Sequence, residues 1–520
     1  MVFVLFTVFS LLIRLYFIRY RAEFDFWDSV WYVVVGHNLA LGRGLTDFAE
    51  QVHIWFQPGY PFFIAIADIL LDDPVLSARV VSALFGSLTI IPTFLLARTM
   101  YSERVAYVAS ILVVFNYRLI ESSTDAMSEM TFAFFLMMTL FLTFRIGQQD
   151  RGIVEYLLLG LVLGAAALIR TEGAAFAFAA VTYLLVCSVQ RRAAIRTGLK
   201  ILLTVAVFCV AFAPYVLFLH RQTGHWTITG RSTWAMLMDL ETKDVFWQHC
   251  DFWTLIRDRW PYILKRMLFN VDYALRKDLI TAIHPVGIVL TAIGFFGRPW
   301  LQGRGRTEGF AIGSLFPFVT VYAIQGWPPR YYFSYLFLVT IWMAKGVDNL
   351  HWWFCGSFSH AHGWGAKLIR RDFRYLAAVV IAVVFCLFLH KTTEPIRMGG
   401  YRQAAESQAD HEVGRWLRDN GARGARFLSP SPLVPFYSEG DQITCNVNLA
   451  PSDLDKFLQE KSIDYIVLDP RWNVYYPQLA YLKKGHAPSH LRLLEEPTWF
   501  RYARGDDRIM VYQVLRQESE

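Results

Sequence analysis

Acidic and basic side chains stand at the ends of strongly apolar segments, and their chemistry is the most informative feature of the sequence. A carboxylate beside hydrocarbon is costly and needs a compensating role. Asp28, close after Asp25, precedes an aromatic and aliphatic stretch. It fits either the N-cap of a short helix or a general base that takes a proton from an acceptor hydroxyl. His53, in the same segment, fits a contact to a substrate phosphate or hydroxyl, or a packed surface histidine.

Three further turns carry charged groups. Glu129 begins an apolar run, where the helix dipole alone favours an acidic residue. Arg170 and Glu172 lie two apart in a tight turn, which fits a local ion pair or a phosphate contact from the arginine. Arg330 precedes Tyr331 among aromatic residues. It fits a snorkelling anchor or a guanidinium that grips a phosphate bidentately.

The amino-acid composition indicates what kind of structure positions these charged side chains. The chain has 520 residues, of which 55% are hydrophobic and 18% charged, and this excludes an ordinary soluble enzyme. The apolar residues occur in runs near the length of a membrane-spanning helix. We therefore predict a polytopic α-helical membrane protein. Eleven spans are predicted, at 1–20, 75–97, 105–120, 130–144, 153–169, 173–189, 199–219, 279–297, 309–324, 331–344 and 375–390.

The distribution of lysine and arginine predicts the orientation. Sixteen of them fall in alternate gaps between spans, and the short intervening gaps hold almost none. Because short cationic loops remain cytoplasmic, the N-terminus is predicted inside. Segments 21–74, 220–278 and 391–520 then lie outside. Within the first of these, 58–71 is too short to span and is predicted to lie at the interface.

The pattern of residues in 391–520 predicts a separate soluble domain. A helical pattern near 407–420 is followed by a short helix near 453–458 and a buried strand at 462–469. Alternation of helix and strand is typical of a small α/β domain. We therefore predict a transmembrane domain over 1–390, which includes the first two outer loops, and an extracytoplasmic α/β domain over 391–520.

Several motifs resemble those of one enzyme family. They are Asp28-Ser-Val-Trp-Tyr32 with His37-Asn-Leu-Ala-Leu-Gly-Arg-Gly44, Gln57-Pro-Gly-Tyr-Pro61, Ala78-Arg-Val-Val-Ser-Ala-Leu-Phe-Gly86, Met127-Ser-Glu129 and Arg170-Thr-Glu-Gly173. They are similar to motifs of the GT-C superfamily of polyprenyl-phosphate-sugar glycosyltransferases. The nearest branch is the bacterial one related to protein mannosyltransferases and lipid A aminoarabinose transferases. The resemblance covers about residues 1–190, and beyond them only the topology and Arg330-Tyr331.

This resemblance implies an inverting transfer at the outer face of the cell inner (plasma) membrane. Asp28 would be the catalytic base, and Glu129, Arg170 and Arg330 would line the donor site. Asp25, Tyr32, His53, Glu172 and Tyr331 are further candidate substrate contacts. The implied partners are a polyprenyl-phosphate-linked sugar donor, membrane lipids and a lipid, glycan or protein acceptor. No cofactor is implied; a divalent metal is compatible with the family but not indicated, because Ser29 stands where the family often has a second acidic residue.

Two other function classes remain as alternatives. A transporter or lipid flippase predicts ionisable residues near the middle of the bilayer and duplicated halves, whereas the charges here concentrate at one face. A non-catalytic scaffold would place the function in 391–520 alone. The sequence contains no nucleotide-phosphate motif, which disfavours a nucleotide-sugar donor. The net charge of +7 is explained by loop topology rather than by a nucleic-acid partner.

Overall fold

The computed structural model forms two compact units, each built from several chain segments. Unit 1 comprises Met1–Arg21, Ile54–Gly230 and Trp253–Glu394; unit 2 comprises Ala22–His53, Arg231–Phe252 and Pro395–Glu520. The described residues are 2–20, 24, 27–191, 194–230, 234–238, 245–249, 252–297, 304–325, 329–358, 408–444, 453–468, 479–483, 487–494 and 509–515. The predicted division at residue 391 stays a prediction.

The regular elements among the described residues of unit 1 are all helical. Its helices are α1 (Val2–Ile18), α3 (Gly59–Leu71), α4 (Pro74–Leu88), α5 (Ile90–Met100), α6 (Glu103–Phe115), α7 (Tyr117–Ser123), α8 (Glu129–Gln148), α9 (Ile153–Ile169), α10 (Glu172–Gln190), α11 (Ala194–Thr223), α12 (Phe252–Tyr273), α13 (Leu279–Ile283), α14 (Pro285–Phe296), α15 (Arg304–Gln325) and α16 (Phe333–Phe358). Ten of the eleven predicted spans coincide with these helices. The eleventh, 375–390, lies outside the described residues.

Four described helices are long and apolar enough to cross a membrane. They are Pro74–Met100, Glu129–Gln148, Glu172–Gln190 and Ile195–Thr223. A fifth span results if α6 and α7, which meet at a bend of 58°, are counted together. Asn116 at this bend caps α7, because its side chain accepts from the backbone N–H groups of Arg118 and Leu119. The predicted count of eleven spans is not confirmed.

The basic loops of the predicted inner side meet at one end of unit 1. Arg191, after α10, donates to the Ile146 carbonyl at the end of α8, at 3.2 Å. Lys200 lies 2.9 Å from the Asp150 carboxylate, between α8 and α9. Arg104, at the start of α6, pairs with Asp348 of α16 at 3.4 Å. Arginine and lysine side chains therefore connect parts of the chain that are far apart in sequence. That this end faces the cytoplasm stays a prediction.

A buried ion pair lies at the same end. Arg304 Nε is 3.1 Å from Glu308 Oε1, and the two side chains are 5% and 3% exposed. Glu308 also accepts from the Tyr101 hydroxyl at 2.8 Å and from the Trp342 indole N–H at 2.9 Å. Arg304 donates to the Gly297 carbonyl at 2.7 Å, which satisfies the end of α14. One carboxylate thus joins α5, α15 and α16.

A second buried arginine connects α1 to the bent helix pair. Arg14 is fully buried, and its Nε donates to the Ser123 hydroxyl at 3.0 Å, at the end of α7. Its Nη1 donates to the Ser10 carbonyl at 3.3 Å. A helix C-terminus carries partial negative charge, which favours a cation there. Gly86 of α4 permits this approach, because a Cβ on it would stand 2.3 Å from Ser123 Oγ.

Unit 2 contains a small β-sheet with helices packed against it, as the sequence predicts. Its described helices are α2 (Trp27–Ala40), α17 (408–417), α18 (Leu433–Tyr437), α19 (Leu454–Glu460) and α20 (Ala480–Lys483), and its strands are β1 (Trp234–Met238), β2 (Val245–His249), β3 (Arg426–Leu428), β4 (Asp441–Ile443), β5 (Tyr465–Leu468), β6 (Leu491–Leu493) and β7 (Met510–Val514). β1 and β2 pair antiparallel. The other five follow the order β4-β3-β5-β7-β6, with β4, β3 and β5 parallel and β7 antiparallel to both neighbours.

The two faces of the five-stranded sheet are both buried. On one face Leu428, Ile466 and Tyr512 pack with α19 and α20. On the other, Phe427 and Val467 pack with α17 and α18. Adjacent strand residues point to opposite faces, so a continuous apolar strand such as β5 indicates a sheet covered on both sides.

We expect Glu308→Ala to destabilise unit 1 strongly. It leaves the buried Arg304 without its carboxylate, at a cost of about 3–5 kcal/mol. Glu308→Gln keeps an acceptor oxygen and should lower the melting temperature less. The measurement is thermal unfolding of the detergent-solubilised protein, with the exposed Glu103→Ala as control. Equal melting temperatures for Glu308→Ala and Glu103→Ala would contradict the assignment.

Candidate functional site

The buried carboxylate of Glu129 is the centre of the first cluster. Glu129 is the first residue of α8 and is 1% exposed. Its Oε1 lies 3.2 Å from Arg170 Nη1 and 3.8 Å from Arg330 Nε. Two arginines therefore face one carboxylate, and the sequence separations do not reveal this proximity.

Arg170 connects Glu129 to the next helix. It follows α9 directly, and its Nε and Nη2 lie 3.0 and 2.8 Å from Glu172 Oε1 at the start of α10. Its Nη1 also donates to the Ser128 hydroxyl at 3.2 Å. The local ion pair expected for this turn is present, and it extends to α8. Gly173 completes the turn, because a Cβ there would lie 2.3 Å from the Ala167 backbone nitrogen.

Arg330 and Tyr331 complete the cluster from a 3-10 turn, Pro329–Tyr332, that leads into α16. The guanidinium carbons of Arg170 and Arg330 lie 4.6 and 5.3 Å from the centre of the Tyr331 ring. Ser334, near the start of α16, donates to the Glu129 backbone carbonyl at 3.1 Å. The N-termini of α8, α10 and α16 are thus brought together. We call Glu129, Arg170, Glu172, Arg330 and Tyr331 the arginine cluster.

Hydrogen bonds that involve side chains of α3 and α4 fix the turn before Glu129. Ser82 of α4 donates to the Met127 carbonyl at 3.0 Å, and the Tyr60 hydroxyl lies 2.8 Å from the Ser82 hydroxyl. Gln57 donates to the Thr171 hydroxyl beside Arg170. These residues belong to the segments 57–61 and 78–86 that resemble family motifs. The structure therefore gives those segments a positioning role around the arginine cluster.

The remaining described candidates belong to unit 2. Asp28 is the second residue of α2, which begins at Trp27, so it lies inside the first turn and not at the expected N-cap position. Its side chain accordingly stands one position inside the helix, where the dipole still favours a carboxylate. Asp28 and Tyr32 share a helix face, since residues four apart are neighbours. Asp25 lies outside the described residues.

His53 is held beside the same helix by a residue that the sequence analysis missed. Its Nδ1 is 3.2 Å from Asp47 Oδ2, and its ring centre is 5.6 Å from that of Trp31 on α2. Asn38 Nδ2 donates to the Asp47 carbonyl at 3.0 Å. The Asn38 position in the Asn-Leu-Ala-Leu-Gly motif was the available signal, but nothing in the spacing identifies Asp47.

Asp47 is the group in this loop whose titration is altered. Burial raises the pKa of its carboxyl above the ordinary 3.8, and the hydrogen bond with His53 opposes that rise. The carboxylate orients the imidazole by accepting from Nδ1–H. His53, only 4% exposed, is thus a fixed and buried group.

The described residues contain no group of three or more His, Cys, Asp or Glu side chains arranged to hold a metal ion. The prediction of a reaction without a cofactor stays a prediction.

Comparison with known proteins confirms the resemblance to GT-C glycosyltransferases that use polyprenyl-phosphate donors. Residues 57–218 match the family model described as dolichyl-phosphate-mannose-protein mannosyltransferase. This range contains Glu129, Arg170 and Glu172. No curated protein matches the chain significantly by sequence.

Two solved structures of ArnT share the fold of this chain. ArnT from Cupriavidus metallidurans bound to undecaprenyl phosphate superimposes with a TM-score of 0.62 at 14% identity, over 98% of this chain and 97% of ArnT. Its apo state gives 0.56 at 14% identity, over 93% and 92%. The oligosaccharyltransferase AglB from Archaeoglobus fulgidus, with an inhibitory peptide and a dolichol-phosphate, gives 0.48 at 11% identity, over 95% and 73%. The apolar helices are those of a membrane-protein family.

Arg170→Ala should destabilise the protein more than Arg330→Ala. Loss of Arg170 removes the nearest cation from both Glu129 and Glu172, a cost of about 3–5 kcal/mol for a buried pair. Loss of Arg330 leaves Glu129 paired with Arg170 at 3.2 Å. Thermal unfolding in detergent measures both variants, and the reverse order would contradict this account of the cluster.

Asp47→Asn tests the altered titration. Because the raised pKa lets the folded protein keep the Asp47 proton to higher pH than the unfolded chain does, the stability that Asp47 contributes is largest below its ordinary pKa of 3.8. This contribution falls as the pH rises through the folded pKa. The asparagine variant lacks this fall. We expect the melting temperature of wild type, relative to Asp47→Asn, to decrease as pH rises from about 4. A difference that is constant or increases with pH would contradict it.

Proposed function

We propose that the protein transfers a sugar from a polyprenyl-phosphate donor to a hydroxyl of a lipid, glycan or protein acceptor at the extracytoplasmic face of the inner (plasma) membrane. The observation that supports this most is the arginine cluster, in which two arginines stand at converging helix N-termini. The proposal includes eleven spans and a soluble domain, 391–520, on the same outer side.

The electrostatics of the cluster favour an anion. Its side chains carry two formal positive and two formal negative charges. Each of the three helix N-termini adds about half a positive charge, and the C-terminus of α9, which Arg170 follows, adds about half a negative charge. A cation at a helix N-terminus is unfavourable by itself. Arg170 contacts the carboxylates of Glu129 and Glu172, and Arg330 lies 3.8 Å from that of Glu129. The Arg330 side chain is 15% exposed, so a phosphate from the donor would add a negative charge beside an accessible guanidinium.

The apolar surroundings of the arginine cluster support a donor that carries a lipid chain. α8, α9 and α10 are apolar helices that lead away from it, so a hydrocarbon tail beside them stays out of water. The similarly folded ArnT structure contains undecaprenyl phosphate. A polyprenyl chain with one phosphate therefore matches both the apolar helices and the arginines.

The proposed reaction is a single inverting displacement. Asp28 takes the proton of the acceptor hydroxyl, and the oxygen attacks the anomeric carbon from the face opposite the lipid phosphate. The bond between that carbon and the phosphate oxygen breaks, so the products are the glycosylated acceptor and the polyprenyl phosphate. Arg170 and Arg330 stabilise the charge that grows on the departing phosphate. Asp25, Tyr32, His53, Glu172 and Tyr331 contact the substrates, and Glu129 orients the arginines.

We expect Asp28→Asn to lower transfer about 10²-fold or more, because it removes the base but keeps the shape of the side chain. The measurement uses purified protein in detergent, radiolabelled polyprenyl-phosphate sugars and extracts of membrane lipids and glycans. Asp72→Asn, an exposed aspartate after α3, is the matched control. Full activity in Asp28→Asn would rule out the base.

The same assay separates the alternative function. If folded wild type transfers no sugar from any donor to any extract, the transferase proposal fails. Movement of labelled lipid across vesicles containing the protein would then identify a flippase.

A further inference from the structure

The helix that carries Asp28 is attached to the α/β domain of unit 2 at its N-terminal side. The Phe24 backbone N–H donates to the Tyr437 hydroxyl at 3.3 Å, at the end of α18. The rings of Phe24 and Phe436 lie 5.5 Å apart, edge to face. Phe24 is 1% exposed, although it stands only three residues before α2 begins. The chain is therefore fixed just before the helix.

A second attachment follows the helix. The Ala49 backbone N–H donates to Asp441 Oδ1 at 3.1 Å, and Asp441 is the first residue of the edge strand β4. Ala49 also packs against the apolar cluster on one face of the sheet. A hydrogen bond to a charged acceptor is about twice as strong as a neutral one. The loop after α2 is thus fixed to the sheet by a carboxylate and by apolar contact.

The backbone at this attachment is held in an unfavourable conformation. Ala49 and Glu50 have φ values of 53° and 56°, in the left-handed region that residues with a Cβ seldom occupy. Such conformations persist where the surroundings impose them, and they concentrate at functional sites. The Ala49 amide that donates to Asp441 belongs to this segment.

Contacts within this segment connect α2 to both attachment points. The Trp31 ring on α2 lies 5.4 Å from Phe48, the neighbour of Ala49. Asn38 at the other end of α2 donates to the carbonyl of Thr46 at 3.1 Å. Internal contacts therefore hold α2 together with its loop and His53. This segment is attached to the α/β domain both before and after α2.

We propose that the α/β domain sets the position of the Asp28 helix, and that Tyr437 and Asp441 are positioning residues for the transfer reaction. The kinetic part rests on the proposed function; the structural part does not. Displacement of a catalytic group by about 1 Å can cost about 10²-fold in rate. The domain therefore acts on the reaction through the placement of the base.

The test combines hydrogen exchange with kinetics on the full-length protein in detergent. The variants are Asp441→Ala, Tyr437→Phe and Asp441→Asn, which keeps an acceptor oxygen. Asp453→Ala is the matched control, because Asp453 is exposed in the same domain and makes no side-chain cap bond. Mass spectrometry follows amide exchange in 27–40 and 45–53. Transfer is followed with a polyprenyl-phosphate sugar that wild type uses.

In Asp441→Ala we expect exchange in 45–53 to accelerate about tenfold or more, since the variant removes a charge-assisted hydrogen bond. We also expect kcat to fall about tenfold, with the KM for the donor changed less than about twofold. Tyr437→Phe should accelerate exchange at the start of 27–40. Asp441→Asn should restore most of both quantities, and Asp453→Ala should match wild type.

Two results would overturn the proposal. Unchanged exchange in both Asp441→Ala and Tyr437→Phe would mean that the domain does not fix the helix. Faster exchange with unchanged kcat would mean that its fixation does not matter to the reaction. If wild type transfers no sugar, the proposed function fails, and the exchange data alone decide whether the domain fixes α2. If Asp441→Ala does not fold, Tyr437→Phe decides.

Discussion

The ion pairs of Arg170 are the interaction on which the arrangement of the helix ends depends. One guanidinium, between α9 and α10, contacts Glu172 at 2.8 Å and Glu129 of α8 at 3.2 Å. These side chains are nearly buried, so each charge needs the others. Once the three helix ends are fixed, Arg330 approaches the same carboxylate from the turn before α16. The opposite end of unit 1 contains another buried pair, in which Arg304 also contacts the carbonyl of Gly297 at the end of α14, where a cation is favoured.

Local signals predicted much of the fold because the elements of this chain are strongly patterned. Ten predicted apolar spans coincide with observed helices, although three of these spans each cover two helices. The helix α9 agrees with the predicted 153–169 at both ends. The ion pair of Arg170 with Glu172 was predictable because the two residues are only two positions apart. In unit 2 the apolar segment before Pro470 gave β5. The N-cap predicted at Asp28 was wrong by two positions, since the helix already begins at Trp27 and the helix dipole favours an aspartate within the first turn as well.

The parts that sequence could not predict depend on contacts between distant segments. Arg170 and Glu129 are 41 positions apart, and Ala49 and Asp441 are 392 apart. No local pattern encodes such pairs. Asp47 was missed for a related reason: it lies in a loop, six positions before His53, where no helix or strand periodicity relates the two residues. The grouping of Ala22–His53 with the α/β domain likewise arises from tertiary contacts.

The most direct test of a phosphate site at the arginine cluster is the binding of undecaprenyl phosphate to the purified full-length protein. Native mass spectrometry in detergent would compare wild type, Arg330→Ala and the control Arg98→Ala, an exposed arginine on α5. If Arg330 contacts the phosphate, its loss should weaken binding about tenfold or more, as expected for charge-assisted hydrogen bonds, and Arg98→Ala should bind as wild type does. Equal affinity in wild type and a folded Arg330→Ala variant would contradict a phosphate site at the arginine cluster.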